Sequence, residues 1–589
     1  MICCAALSAR VSSTGSRSST AALARLERAR AQFGEGAGSA KLALLVALEG
    51  ARLPSARAVL LLHEALVFLR AFPDDRAVLE QVERMLAGFQ DRRDARRFRP
   101  ELESSGVAGS EIRFSFFGPT ASWLARRCPR ELAIDWPEFQ ERDRLEARLE
   151  LLVAWSETPA IDEGDLSLRA WIDRLKGPAE TDGTFLVRRF EALDASKAVR
   201  THFFEEMDVP FVVSAGPRTP SRTSSRHRRS RTVFQTAPLS RERPVLSREV
   251  LRPPRSIRAV SRAEGEELAD LAREAMVTRS RDLDAFMHAD PRDARIVDCG
   301  GGLEFACLGV LPERRLLLEA VYGFLTLQSG VPTGYVLASA LFGSCEIAFN
   351  VFETFRGGPS ARVYGRVLAM CRALFGADTF TIYPYQLGHE NQEGLRSGAW
   401  WFYEKLGFRP RDAAARAAYR SELAALRRDP AHRSSLAALK ELAAENMYWS
   451  LGAPREDVIG RFPLDRIGFA ASDYLSSRFG SDRERGERVC ADEVAGILGV
   501  RRWRQWPAGE RQAFQRWAPL VRVLPGLEGW PRGDRAALAR VVRAKGGRRE
   551  SDFVLRLDRH RRLRNALREL ARRPPQNTRG GRTGSDRRV

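Results

Sequence analysis

Lysine is almost absent from this chain: six stand against 90 arginines in 589 residues. Both residue types serve phosphate binding, so a ratio this lopsided reads as a bias toward GC-rich codons more than as a nucleic-acid signature. Cysteine is sparse too. Eight are scattered at positions 3, 4, 128, 299, 307, 345, 371 and 490, with no Cys-x-x-Cys pair and no histidine at ligand spacing. That pattern excludes a disulfide framework and a structural zinc site, and no metal is expected. Such cysteines suit small buried side chains in a reducing cytoplasm. Long apolar runs are also missing. The run at 42–48 stops at Glu49, far short of the roughly 18 to 20 residues that a membrane helix needs, so no membrane partner is expected. The apolar patch at 2–7 is too short for the core of a secretory signal, and residues 1–40 read as a disordered tail.

What the chain does have is positive charge in two places. The formal net charge is +21; residues 211–260 hold 12 arginines against 2 acids, and residues 501–589 hold 25 basic against 8 acidic residues. The first stretch, GPRTPSRTSSRHRRSRT at its centre, is nearly free of large apolar side chains, so 211–257 reads as a flexible basic linker. The second interleaves Trp503, Trp506, Trp517 and Trp530 with arginine. Aromatics so placed can stack bases. Leu555, Leu557, Leu563, Leu567 and Leu570, however, recur at helical spacing, which favours a helical core with a solvated arginine face. Nucleic acid is then expected as a weak, sequence-blind partner at most.

A chain of this length with 44% apolar residues predicts three or four domains. Residues 41–210 read as helical: Val59, Leu62, Leu66 and Leu69 mark one face, Val78, Val82, Met85, Leu86 and Phe89 another, and EIRFSFF adds a short strand. His63 beside Glu64 lacks a second histidine at i+4, which excludes a metalloprotease helix. Residues 258–412 read as an α/β domain, 413–573 as a helical C-terminal region, and 574–589 as a disordered basic tail. PERRLLLEAVYG, starting at Pro312, is predicted to be a helix, and Gly300–Gly302 a wide turn between strands.

Within the α/β domain, residues 331–410 change pattern quickly. GVPTGYVLASALFGS and CEIAFNVFETF read as a strand hairpin. RGGPSA follows, where two glycines permit φ > 0 and Ser360 is placed to cap a helix carrying Val363, Val367, Leu368, Cys371, Leu374 and Phe375, ended by Gly376. The strand TFTIYPY, a polar loop and the helix AWWFYEKLG complete the run. A strand feeding a glycine turn that opens a helix leaves several N–H groups aimed at one spot, an anion site.

This order, with its RGGPSA loop and Tyr-x-x-x-Gly-Phe ending, resembles the GNAT superfamily of N-acyltransferases. The resemblance covers about a fifth of the chain. It implies an α+β fold with a GNAT-like mixed sheet, flanked here by helical N- and C-terminal domains, and transfer of an acyl group from acetyl-CoA or another acyl-CoA to an amine of unknown identity. On the resemblance, Glu346 is the general base and Tyr403 the general acid. The strand near Asn350 polarises the carbonyl, Arg356, Gly357, Gly358, Ser360 and Ala361 hold the pyrophosphate, and Asn391 matches the family's asparagine. Pro359 stands where the loop's central glycine belongs, which removes one amide donor, and about a dozen residues rather than a few separate Asn391 from Tyr403. Those departures support an alternative: a noncatalytic GNAT-like scaffold that acts through its helical flanks or basic segments.

Overall fold

The structure is a computed structural model that describes residues 18–573. The fold is α+β: a mixed central sheet with helical flanks. The expectations for residues 1–17 and for the tail 574–589 lie outside the described residues.

The first helix spans 18–29 and buries Leu23 and Leu26, so the tail predicted for 1–40 is helical and packed from residue 18 onward. It joins the helices Ala37–Glu49, Ala56–Ala71 and Arg76–Ala87. Asp75 caps the last of these, accepting a 2.9 Å bond from Val78 N, and the ion pair between Lys41 of the second helix and Asp74 of the loop before the fourth is buried at 2.8 Å. The apolar faces read from the sequence are buried, but against the central sheet: Val59, Leu62, Leu66 and Val82 share one cluster with Leu325, Leu327 and Phe352.

The second half of the expected N-terminal domain is a separate small unit. Strands β1 (Ile112–Ser115), β2 (Leu132–Ile134) and β3 (Pro210–Val213) form an antiparallel sheet in the order β1-β3-β2. It has a core of its own, built from Trp123, Trp136, Trp171, Phe185 and Phe211 among others.

The predicted basic linker is corrected by the structure. Ser221, Thr223, Ser225, His227 and Ser230 are buried. The segment is fixed to both neighbours by backbone bonds, Arg222 N to Gly106 O at 2.8 Å and His227 N to Gly330 O at 2.9 Å. Its centre, 216–232, lacks large apolar residues because the interior contacts there are made by hydroxyls and guanidiniums. Arg70, for example, donates to the Thr223 carbonyl at 2.8 Å.

The central sheet holds β4 (Ser256–Ala259), β5 (Ala289–Gly300), β6 (Leu303–Val310), β7 (Ala320–Gln328), β8 (Val331–Leu341), β9 (Ser344–Val351), β10 (Thr379–Ile382), β11 (Arg409–Pro410) and β12 (Met447–Ser450). Their order is β11-β12-β10-β9-β8-β7-β6-β5-β4. Strands β4 to β9 run antiparallel in sequence. The helix Ser360–Phe375 then crosses over, β10 pairs parallel with β9, and β12 inserts antiparallel between β10 and β11. The β8–β9 hairpin closes at Phe342 and Gly343, both at positive φ, with Leu341 opposite Ser344 as its alternation predicts. The helix predicted from Pro312 is instead one 3-10 turn, Pro312–Arg314, followed by β7. Ala320, Tyr322 and Phe324 face one side of the sheet and Leu325 and Leu327 the other, and pairing on both edges overrides the local helical pattern.

Both faces are covered, which corrects the boundaries of the α/β domain. One face carries the N-terminal helices and Arg262–Val277. The other carries Ser360–Phe375 and the C-terminal helices, whose Trp503, Trp517, Trp530, Leu557, Leu563, Leu567 and Leu570 are buried in the same cluster as Tyr322, Val336 and Ile347. Strand β12 lies beyond residue 412, so 258–412 is not a self-sufficient unit. Among the described residues no helix is long and apolar enough to cross a membrane.

Candidate functional site

Glu346 stands on β9 opposite Ser339 of β8 and Thr381 of β10. Cys345 and Ile347 are buried on the face of the C-terminal cluster, so the period of two puts Glu346, Ala348 and Asn350 on the opposite face. There Leu337, Ser339, Glu346, Ala348 and Asn350 are all half-buried and form a partly open strip between covered parts of the sheet. Burial, and then the nearby Glu319 carboxylate, push the Glu346 carboxyl up to about 7. Glu319 is fixed in turn: its side chain accepts from Ser339 Oγ at 3.0 Å, and its carbonyl accepts from Lys545 Nζ at 2.7 Å.

The parallel pairing of β9 with β10 covers only Ser344, Cys345 and Glu346. β9 continues to Val351 while β10 ends at Ile382, so the two diverge immediately past Glu346. The edge of 347–351 facing the gap has no strand partner among the described residues. On the helix side the gap is bordered by an aromatic group centred on Tyr364, with ring centroids 5.3 Å from Phe349, 5.4 Å from Tyr403 and 6.0 Å from Phe408. Tyr364 is fully buried and its hydroxyl has no hydrogen-bond partner. Burial holds the phenols of Tyr364 and Tyr403 above their ordinary range.

The predicted site residues are therefore brought together in part. Glu346 and Asn350 share one face; Tyr403 lies in the aromatic group on the other. In the loop, Gly357 takes φ +81° and Gly358 does not. Ser360 is the first helical residue rather than the cap, a place taken by Pro359, which offers no side-chain bond. Gly358 N and Ser360 N are spent on Phe355 O and Gly358 O. Among the described residues the amides of Gly357, Ala361 and Arg362 have no backbone partner. Arg356 pairs with Glu393. Asn391 caps the short helix Gln392–Ser397: its Oδ1 accepts from Gly394 N and its Nδ2 donates to the Tyr385 carbonyl, each at 3.0 Å. Helix capping, not ligand contact, accounts for that residue.

Three loop amides at a helix start and the edge of β9 past Glu346 are hydrogen-bonding groups that an anionic or polar ligand would satisfy. Sequence reasoning missed Tyr364, which directly follows the first member of the helix's apolar series, and Glu319, hidden inside a segment that reads as helix. Among the described residues no cluster of His, Cys, Asp or Glu is arranged to hold a metal ion. Comparison with protein-family models, with curated proteins and with solved structures found no match to this chain.

Proposed function

We propose that the protein is an acyl-CoA-dependent N-acyltransferase whose base is Glu346. The observation that carries this reading is a carboxyl with a pKa of about 7 on a partly open strip of sheet, at the point where two parallel strands part. A base must be largely ionised at working pH yet basic enough to take the proton of an ammonium, and a pKa near 7 meets both needs. The strand order supports the same reading: an antiparallel meander, a helical crossover to a parallel strand, and a last strand inserted next to it. Bound acyl-CoA would supply the activated thioester. On the protein's side, Glu346 takes the amine proton, the free edge of β9 near Asn350 holds the carbonyl, and a phenol kept protonated by burial, Tyr364 or Tyr403, protonates the departing thiolate. The amides of Gly357, Ala361 and Arg362 take the diphosphate.

Calorimetric titration of the full-length protein with CoA and acetyl-CoA tests this. Gly357→Val should abolish binding because a β-branched residue resists φ +81°. Glu346→Gln should keep binding and lower turnover by roughly 10² to 10⁴. No heat of binding at millimolar CoA would remove the enzyme reading. A noncatalytic scaffold is then favoured by a specific observation: Pro359 and two internally bonded amides halve the donors of the loop.

A further inference from the structure

A cavity of about 710 Å³ lies where the N-terminal helices meet the far end of β9. Its wall carries Arg30, Arg57, Arg222, Arg279, Arg281 and Arg356 against four glutamates. Pairing within the wall accounts for most of these cations. Arg30 lies 3.5 Å from Glu27, Arg222 pairs with Glu64, and Arg356 pairs with Glu393. Arg281 donates to the Tyr335 hydroxyl at 2.8 Å and stands 4.0 Å from Glu393.

Among the described residues no carboxylate pairs with Arg57 or Arg279. The Arg279 guanidinium sits 3.7 Å from the centre of the Phe352 ring and gives one N–H to the Ala275 carbonyl at 2.8 Å. Burial first, then the neighbouring Arg222 and Arg281, hold its pKa well below the usual arginine value, and no carboxylate offsets them. The same field reaches His63, which is kept neutral by burial and by Arg222, Arg70 and Arg279. A guanidinium does not lose its proton at ordinary pH, so enclosing one among others costs free energy that an anion would offset. A second unmet demand lies in the same wall: Asn350 Oδ1 is buried and accepts from no donor. Along β9, Asn350 is four residues from Glu346 on the same face, about 13 Å.

We propose that this cavity holds the anionic end of a small-molecule acceptor, with a phosphate or carboxylate group on Arg279 and Arg57 and an N–H or O–H group on Asn350. Naming the ligand as the acceptor rests on the acyltransfer reading; the anion site stands without it. At four residues of strand from Glu346, the acceptor is an amine whose charged end lies on the order of 10 Å from the reacting nitrogen.

The test is calorimetric titration of the full-length protein with inorganic pyrophosphate and with citrate at about 0.15 M salt, where diffuse surface attraction is largely screened. One-site binding of at least one probe is expected, weakened about tenfold or more by Arg57→Gln and by Arg279→Gln, with Arg279→Lys retaining part of it. Arg57 is exposed, so its replacement should leave the fold intact if that of the half-buried Arg279 does not. Binding of pyrophosphate alone assigns an organic phosphate, and of citrate alone a polycarboxylate. The site is overturned if neither probe binds at millimolar concentration. It is equally overturned if the exposed Arg532 and Arg561, changed together to Gln, weaken binding as much as Arg57→Gln. Loss of CoA binding beside probe binding that depends on Arg57 would remove the acyltransfer reading and leave the anion site. CoA binding without probe binding would do the reverse.

Discussion

Lys545 and Glu550 form a 2.6 Å ion pair in the interior, and the same ammonium donates to the carbonyl of Glu319 at 2.7 Å. The turn between two C-terminal helices is thereby fixed to Glu319, the residue just before β7, whose carboxylate adds to burial in raising the pKa of Glu346. Around it, Arg315 donates to the carbonyls of Lys545 and Gly547, both at 2.7 Å. Asp293 accepts from Tyr322 Oη at 2.6 Å and from Glu550 N at 3.0 Å. The C-terminal helices are in this way part of the support of the candidate base.

Breaking that pair leaves an unpaired charge in a dry site. Glu550→Ala is expected to cost about 3 to 5 kcal/mol in urea denaturation, whereas the double change Lys545→Met with Glu550→Leu should cost clearly less. A loss for Glu550→Ala no larger than that for disrupting the exposed pair Arg504–Asp492 would show that the interior there admits water.

Glu346 links activity and stability with opposite signs. Its folded-state pKa, about 7, is above its ordinary carboxyl value. The folded state therefore holds its proton more tightly, and this group's contribution to stability is fully present below about pH 4.5 and is lost as pH rises through about 7. Turnover should rise over the upper part of that window, because only the carboxylate is a base. Glu346→Gln should consequently have the higher melting temperature at pH 8 and little advantage at pH 4. Equal melting temperatures at pH 8 would show that the carboxyl titrates normally.

The β8–β9 hairpin, the crossover helix and its αL stop at Gly376 were legible because alternation, helical spacing and one glycine each leave a local mark. The face-to-face arrangement was not. Strands buried on both sides carry near-continuous apolar residues, so nothing local separates β7 from a helix. Glu346 could be picked out, but its raised pKa comes first from burial and then from Glu319, 27 residues earlier and brought near through the β7–β8 and β8–β9 pairings. The arginine cavity gathers Arg57, Arg279 and Arg356 from three distant segments, which no spacing rule connects.

The segment 214–245 offers a direct contrast between composition and structure. Its serines and arginines read as a spacer, yet His63 Nε2 meets Thr223 Oγ1 at 2.8 Å, and Arg226 reaches Glu83 at 2.8 Å. Arg222 and Arg226 should resist limited trypsin digestion under conditions that cut after the exposed Arg241. Thr223→Val, which leaves His63 and the Ala108 amide without a partner, should cost about 1 to 3 kcal/mol. Early cleavage at Arg222 in the native protein would restore the flexible-linker reading.

Binding of nucleic acid through the basic C-terminus should be weak and diffuse. The tryptophans that looked available for stacking are committed: Trp517 donates to the Leu317 carbonyl at 3.1 Å, and Trp503 packs 5.3 Å from Phe514. With aromatic faces buried, only arginine charge remains to meet phosphates, and counterion release makes such binding fall steeply with salt. Electrophoretic shifts with single-stranded DNA should appear at low salt, show no sequence preference and vanish by about 0.2 M. Removing residues 574–589 should weaken them, whereas removing 501–573 would strip one face of the sheet and unfold the protein. Binding that survives 0.2 M salt and the loss of the tail would require a base-contacting surface that this arrangement of tryptophans does not provide.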